Sequence, residues 1–92
     1  MFYEWDEAKR LSNIDRHRLD FEDVDLLFGG PHIAGPAKTV DQEARMMAVG
    51  MIEDVHVTVI YTLRGLNTRV ISLRRASYGE RKRYQEVFKG RA

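Results

Sequence analysis

Apolar and polar residues alternate most regularly in the middle of this chain. From Val55 to Thr62, the residues Val55, Val57, Val59 and Tyr61 fall on one side of an extended backbone and His56, Thr58, Ile60 and Thr62 on the other. That is the period of a strand with one face in a core. Two more strand-like runs flank it, Arg45 to Glu53 and Asn67 to Arg74. The spacers Glu53-Asp54 and Leu63 to Leu66 have hairpin length, so an antiparallel meander is the simplest arrangement. Phe2 to Trp5 is a short aromatic strand candidate at the start.

Helical spacing occupies the remainder. Asp6 stands at an N-cap position, and a helix is predicted from there to about Asp15, with Ala8, Leu11 and Ile14 along one stripe. A second helix is predicted from Phe21, capped by Asp20 and stapled by Leu19 and Val24. Its buried face is Phe21, Val24, Leu27 and Phe28, and Gly29-Gly30-Pro31 ends it. Pro31 to Gln42 holds two prolines and a glycine and reads as one long exposed connection. The last helix, Tyr78 to Lys89, opens on a capping box of Ser77 and Glu80, buries Tyr84, Val87 and Phe88, and stops at Gly90. The predicted order is β-α-α-β-β-β-α, an α+β fold with a small antiparallel sheet. Ninety-two residues make one domain, 1–92, with a modest core including Trp5.

Charge changes the picture. Residues 64–92 carry nine Arg and Lys against two acids, while residues 1–63 carry six against twelve. A formal net charge of +1 thus hides +7 at one end and −6 at the other. The basic residues lie on a strand running into a capped helix, and an arginine-dense folded surface is a phosphate-facing surface by default. Arginine presents a planar fork of donors that matches phosphate oxygens. Arg64 is placed in the turn before the last strand and Arg74 and Arg75 at that strand's far end. Strict alternation puts Arg69, Ile71, Leu73 and Arg75 on one face and Val70, Ser72 and Arg74 on the other, so Arg74 and Arg75 point apart unless a bulge intervenes. Blander readings stand beside these. A solvated helix face accounts for Arg81, Lys82 and Arg83, the capping box for Glu80, a helix C-terminal cation for His17, and core packing for Tyr84.

Several function classes are disfavoured. The sequence has no cysteine, so disulfide frameworks and thiolate metal sites are excluded. His17, His32 and His56 have no metal-ligand spacing, and no GxxxxGK[ST], GxGxxG or GxSxG occurs. No metal or nucleotide cofactor is expected. No apolar run approaches the ~18 residues of a membrane helix, and the start MFYEWDEAKR is acidic where a signal peptide is basic. A cytoplasmic protein is the expectation, with no membrane partner.

Two blocks of residues resemble a known family. Trp5-Asp6-Glu7-Ala8-Lys9, Asn13, Arg16-His17, Phe21-Glu22-Asp23 and Phe28 with Pro31 form the first. Glu43-Ala44-Arg45, Val49-Gly50, Val59 to Arg64, Arg69 to Ala76, Glu80-Arg81 and Tyr84 form the second. Together they are similar to BrnT-type toxins of bacterial type II toxin–antitoxin systems. Where the family usually has glycine after its histidine, this chain has Arg18, and Leu73 replaces a usual alanine. The resemblance implies a RelE-like fold, with two helices after strand 1 and one at the C-terminus. It implies a growth-inhibiting endoribonuclease that cuts RNA through 2′-hydroxyl attack. It also implies a BrnA-like antitoxin, in a 2:2 complex, which alone touches operator DNA. By position, Arg64, Arg74, Glu80, Tyr84 and His17 would form the catalytic set, with Lys9, Arg69, Arg75, Arg81 and Lys82 binding nucleic acid. The alternative is a non-catalytic module that grips nucleic acid or a partner with the same arginines.

Overall fold

Val57 and Val59 are fully buried, and the alternation that predicts them builds the central strand of a five-stranded sheet. The computed structural model describes residues 2–89. The strands are β1 (Phe2–Glu4), β2 (Ile33–Pro36), β3 (Met46–Ile52), β4 (Val55–Arg64) and β5 (Asn67–Arg75). The helices are α1 (Glu7–His17), α2 (Val24–Gly29), entered through a 3-10 turn at Phe21–Asp23, and α3 (Tyr78–Phe88). The α+β class holds, with the sheet order β1-β5-β4-β3-β2.

Three expectations about the sheet change. It is mixed, because β1 runs parallel to β5, pairing Tyr3 with Thr68. The supposed loop contains β2, which pairs antiparallel with β3, Gly35 opposite Met47. Strand assignment there is masked by Gly35 and Pro36, which a central strand would reject but an edge strand tolerates. Finally, β4 runs on to Arg64, which pairs with Asn67, and the turn shrinks to Gly65-Leu66. Gly65 at φ 59° supplies the left-handed residue that a two-residue hairpin loop takes.

Leu73 on β5 is fully buried, as is Val70 three residues earlier. Two core residues an odd number apart need an extra residue between them. The register shift opposite Ile60 and Tyr61 supplies it, with Ile71 as the odd residue of the bulge. Strict alternation therefore fails along β5, with consequences for the arginines described below.

The core lies on one face of the sheet. Phe21, Val24 and Leu27 pack there against Ala48, Val57, Val59 and Leu73, with Tyr3, Trp5 and Phe28 half-buried at its margin. Gly50 is required by this packing, since a Cβ at that position would stand 2.9 Å from Leu27 Cγ and 3.3 Å from the Pro31 carbonyl oxygen.

Helix α1 behaves differently from its expected stripe. Ala8 and Leu11 are exposed, and its one buried residue is Asn13. The Asn13 amide donates to the Leu73 carbonyl at 2.8 Å and accepts from the Leu73 N–H at 3.2 Å, and it also donates to Leu19 O at 3.0 Å. A side chain thus pairs with the stretch of β5 that β1 is too short to cover. Arg10 binds both oxygens of Asp20, at 3.0 and 3.2 Å, tying α1 to the turn that opens α2. Helix α1 ends at His17 rather than Asp15, and Arg18 follows in the left-handed region at φ 59°, ψ 31°. It occupies the position where the resemblance expects glycine.

Helix α3 starts where predicted, with the complete capping box of Ser77 and Glu80, and ends one residue early at Phe88, Lys89 being its extended C-cap. It lies on the opposite face of the sheet, where Glu80 meets Thr58 and Tyr84 meets His56. Its predicted buried stripe fails, because no residue of α3 is buried and Val87 is 52% exposed. The helix rests on a polar clamp and two half-buried rings, leaving a groove of about 500 Å³ between Val87 and Ile33, Met47 and Val49. Gly90, the predicted stop, lies outside the described residues, as does Met1.

Candidate functional site

The sheet face turned away from α1 and α2 carries the arginines. On β4, Thr58, Thr62 and Arg64 alternate with the core residues Val57, Val59 and Tyr61 and so share this face. On β5, Arg69 pairs with Thr62 and Arg74 with Thr58. The bulge at Ile71 allows this: without it, Arg69 and Arg74 would point to opposite sides. Arg64, Arg69, Ser72 and Arg74 end on one surface. Arg75 pairs with Val57 and points to the other side, toward α1.

Each arginine of the face is met by a carboxylate from a different element. Arg64 contacts Glu43 at 3.2 Å, Arg69 contacts Glu4 on β1 at 2.9 Å, and Arg74 contacts Glu80 on α3 at 2.7 Å. The last contact is bidentate, with a second bond of 2.9 Å to the other oxygen. Glu80 also accepts from Thr58 Oγ1 at 2.8 Å and from the Ser77 N–H at 2.9 Å. These donors, Arg74 first, hold its carboxyl well below the usual range, at about 2, against the opposing effect of burial. The same contact pushes the Arg74 guanidinium up. Both groups stay charged at any physiological pH.

The arginines are spread out rather than converged. Arg74 lies opposite Thr58, six residues along β4 from Arg64, which is ~20 Å at the rise of a strand. Arg69 sits between them. Tyr84 stacks edge-on to His56, ring centroids 5.3 Å apart, one helical turn from Glu80. Arg81 and Lys82 are exposed on α3. Arg64, Arg69 and Arg74 can therefore follow a strand of polyanion across the sheet, while Arg74, Glu80 and Tyr84 form one compact group.

Lys9 and His17 are found elsewhere. They line a second cleft, of about 230 Å³, between α1 and the bulged part of β5, together with Ser12, Arg16, Ile71 and Ser72. Ser72 belongs to the arginine face by alternation and to this cleft by position. The cleft thus adjoins the face at the edge of the sheet. Arg16 and Ser72 stand within the family-like blocks, but the sequence assigns neither them nor Ser12 a site role, because isolated polar residues on a helix or strand carry no local signal of a shared site.

Among the described residues no three of His, Asp and Glu gather in a way that would hold a metal ion. No helix there is long and apolar enough to cross a membrane.

A comparison with protein families matches residues 5–80 to the family described as ribonuclease toxin, BrnT, of type II toxin–antitoxin system. No curated protein matches the sequence. The match covers most of the chain and spans both the arginine face and the α1 cleft, and the chain belongs to that family.

Proposed function

We propose that this ribonuclease toxin of a type II toxin–antitoxin pair is a metal-independent endoribonuclease whose RNA lies across the arginine face of the sheet. The observation that carries this reading is the common facing of Arg64, Arg69 and Arg74, which depends on the bulge at Ile71. The RNA 2′-hydroxyl attacks the adjacent phosphorus, the bond to the 5′-oxygen breaks, and a cyclic phosphate and a 5′-hydroxyl result. Arg74 stands at the reacting phosphate, where a guanidinium stabilises the charge that builds on phosphoryl oxygens. Glu80 fixes its orientation, and Tyr84, one helical turn along α3, is the group placed to move protons, while His17 stands apart in the α1 cleft. Arg69 and then Arg64 follow the backbone away from Arg74 in one direction, with Arg75, Arg81 and Lys82 adding positive potential.

RNA phosphates compete with Glu43 for Arg64 and with Glu4 for Arg69, while Glu80 keeps its hold on Arg74. The chain is one toxin domain acting in the cytoplasm, where it arrests growth. A BrnA-like antitoxin, in a 2:2 assembly, occludes the face and alone contacts operator DNA. The test is cleavage of single-stranded RNA in EDTA by the wild-type chain and by Arg74→Ala. Cleavage by the wild type and its loss in the variant are expected. Cleavage that needs an added divalent ion, or an unimpaired variant, overturns the mechanism. Induced expression should halt growth, and co-expression of the neighbouring small reading frame should relieve it.

A further inference from the structure

The arginine face is neutralised by the protein itself, whereas the α1 cleft is not. Arg64, Arg69 and Arg74 each lie in an ion pair. Lys9, Arg16 and His17 are in none, and no hydrogen bond engages their side chains among the described residues. Lys9, Asn13 and His17 stand at successive four-residue steps, with Ser12 and Arg16 one position behind, so all five lie on one side of α1. Asn13 pins that side to β5 through Leu73. The helix backbone that carries the two cations and the imidazole is therefore fixed beside the bulge, and Ser12 and Ser72 line the same cleft.

From this geometry we infer that the α1–β5 cleft seats a backbone phosphate of single-stranded RNA, bound by Lys9 and Arg16 with hydrogen bonds from Ser12, Ser72 and His17. The inference rests on the ribonuclease reading and extends its binding surface past the sheet face. Three features favour a phosphate of this kind. The site is concave, it joins positive groups to neutral donors, and no carboxylate must be displaced before the anion enters. Ser72 and Arg74 are neighbours on the same side of β5, ~7 Å apart along the strand. A phosphate in the cleft and one at Arg74 can therefore belong to the same chain. The unpaired cleft captures RNA, and Arg64 and Arg69 exchange their carboxylates for phosphates once the strand is held. The bulge serves both sites, since it brings Ser72 and Arg74 onto the face that carries Arg69 and Arg64.

The experiment uses a short single-stranded RNA with 2′-O-methyl groups throughout, which binds but is not cut. Its affinity is measured over a range of salt for the wild type, Lys9→Ala/Arg16→Ala and Lys38→Ala. Lys38 is an exposed cation of the β2–β3 connection and serves as the control. The double variant should bind at least about tenfold more weakly, with a salt slope lower by about 0.7, the value for one lost single-strand phosphate contact. Lys38→Ala should match the wild type. Cleavage of unmodified RNA is followed in parallel. A wild type that cuts RNA and a double variant with unchanged affinity and slope would overturn the cleft while leaving the ribonuclease reading intact. A folded wild type that neither binds nor cuts RNA overturns both. A readout without substitution guards against a variant that fails to fold. The His17 ring resonances of the wild type should shift as the methylated RNA is added, and resonances that stay still at saturation reject the cleft.

Discussion

Glu80 reaches back from the first turn of α3 and grips the Arg74 guanidinium with both oxygens, at 2.7 and 2.9 Å. The same carboxylate closes the capping box with Ser77. One side chain thus starts the helix, anchors it to the sheet and orients the guanidinium proposed to meet the reacting phosphate. Its depressed pKa makes stability depend on pH. An unfolded glutamate titrates near 4.3 and the folded one near about 2. The contribution is complete above the unfolded value and is lost as pH falls from there through the folded one. Arg74 is 36% exposed, so solvent screens part of the attraction. About 1–2 kcal/mol at pH 7 is expected from this linkage. Thermal unfolding of the wild type and Glu80→Gln should differ by that amount at pH 7 and converge toward pH 2. A constant gap across the range would show that the charge is not its source.

The two ends of the arginine face should differ in catalytic weight. Arg74 is fixed by a bidentate partner, whereas Arg64 is 54% exposed and touches Glu43 through one nitrogen. Removing a preorganised donor at a reacting oxygen typically costs about 10²–10³ in rate. Arg74→Ala should fall in that range in kcat/KM for RNA cleavage, and Arg64→Ala should lose less than about tenfold, mostly in KM, as suits a rim phosphate contact. Equal losses would place the reacting phosphate elsewhere on the strand.

Asn13 joins residues sixty positions apart in the chain. Asn13→Leu removes three hydrogen bonds and leaves the Leu73 N–H and carbonyl facing an apolar side chain. Each unsatisfied buried group costs about 1–3 kcal/mol. A fall of at least about 2 kcal/mol in urea unfolding is expected, with faster amide exchange at Leu73. An unprotected Leu73 amide in the wild type would contradict the bond itself.

Arg18 bears a side chain in a backbone region that suits glycine. Arg18→Gly should raise stability by a few tenths to about 1 kcal/mol, the relief of the left-handed conformation being partly offset by the freer unfolded chain. Gly50→Ala should do the reverse. Its added carbon must push Leu27 or the Pro31 carbonyl aside, and about 1–3 kcal/mol should be lost. Unfolding midpoints in urea measure both, and opposite signs are the expected result.

What the sequence disclosed follows the range of the interactions. The capping box of α3 is a four-residue signal and gave its start correctly. The alternation of β4 and the apolar face of Phe21, Val24, Leu27 and Phe28 are equally local, and the first three are buried while Phe28 is half-buried. The family motifs carried the class of protein. The parallel pairing of β1, the strand hidden at Ile33–Pro36 and the partner of Asn13 all depend on segments distant in the chain, where local spacing is silent. The bulge is the clearest case. Val70 and Leu73 are both apolar, and the odd interval between them was a visible sign that period-two alternation would break. The site was partly legible for the same reason: the arginines announced themselves by density, whereas the cleft is assembled only when α1 lies against β5.

The sheet ends at β2, and Pro36 there has no N–H to offer a further strand. Two copies meeting side by side find a margin only four residues long and short of a donor. Ordered stacking is poorly templated at that border.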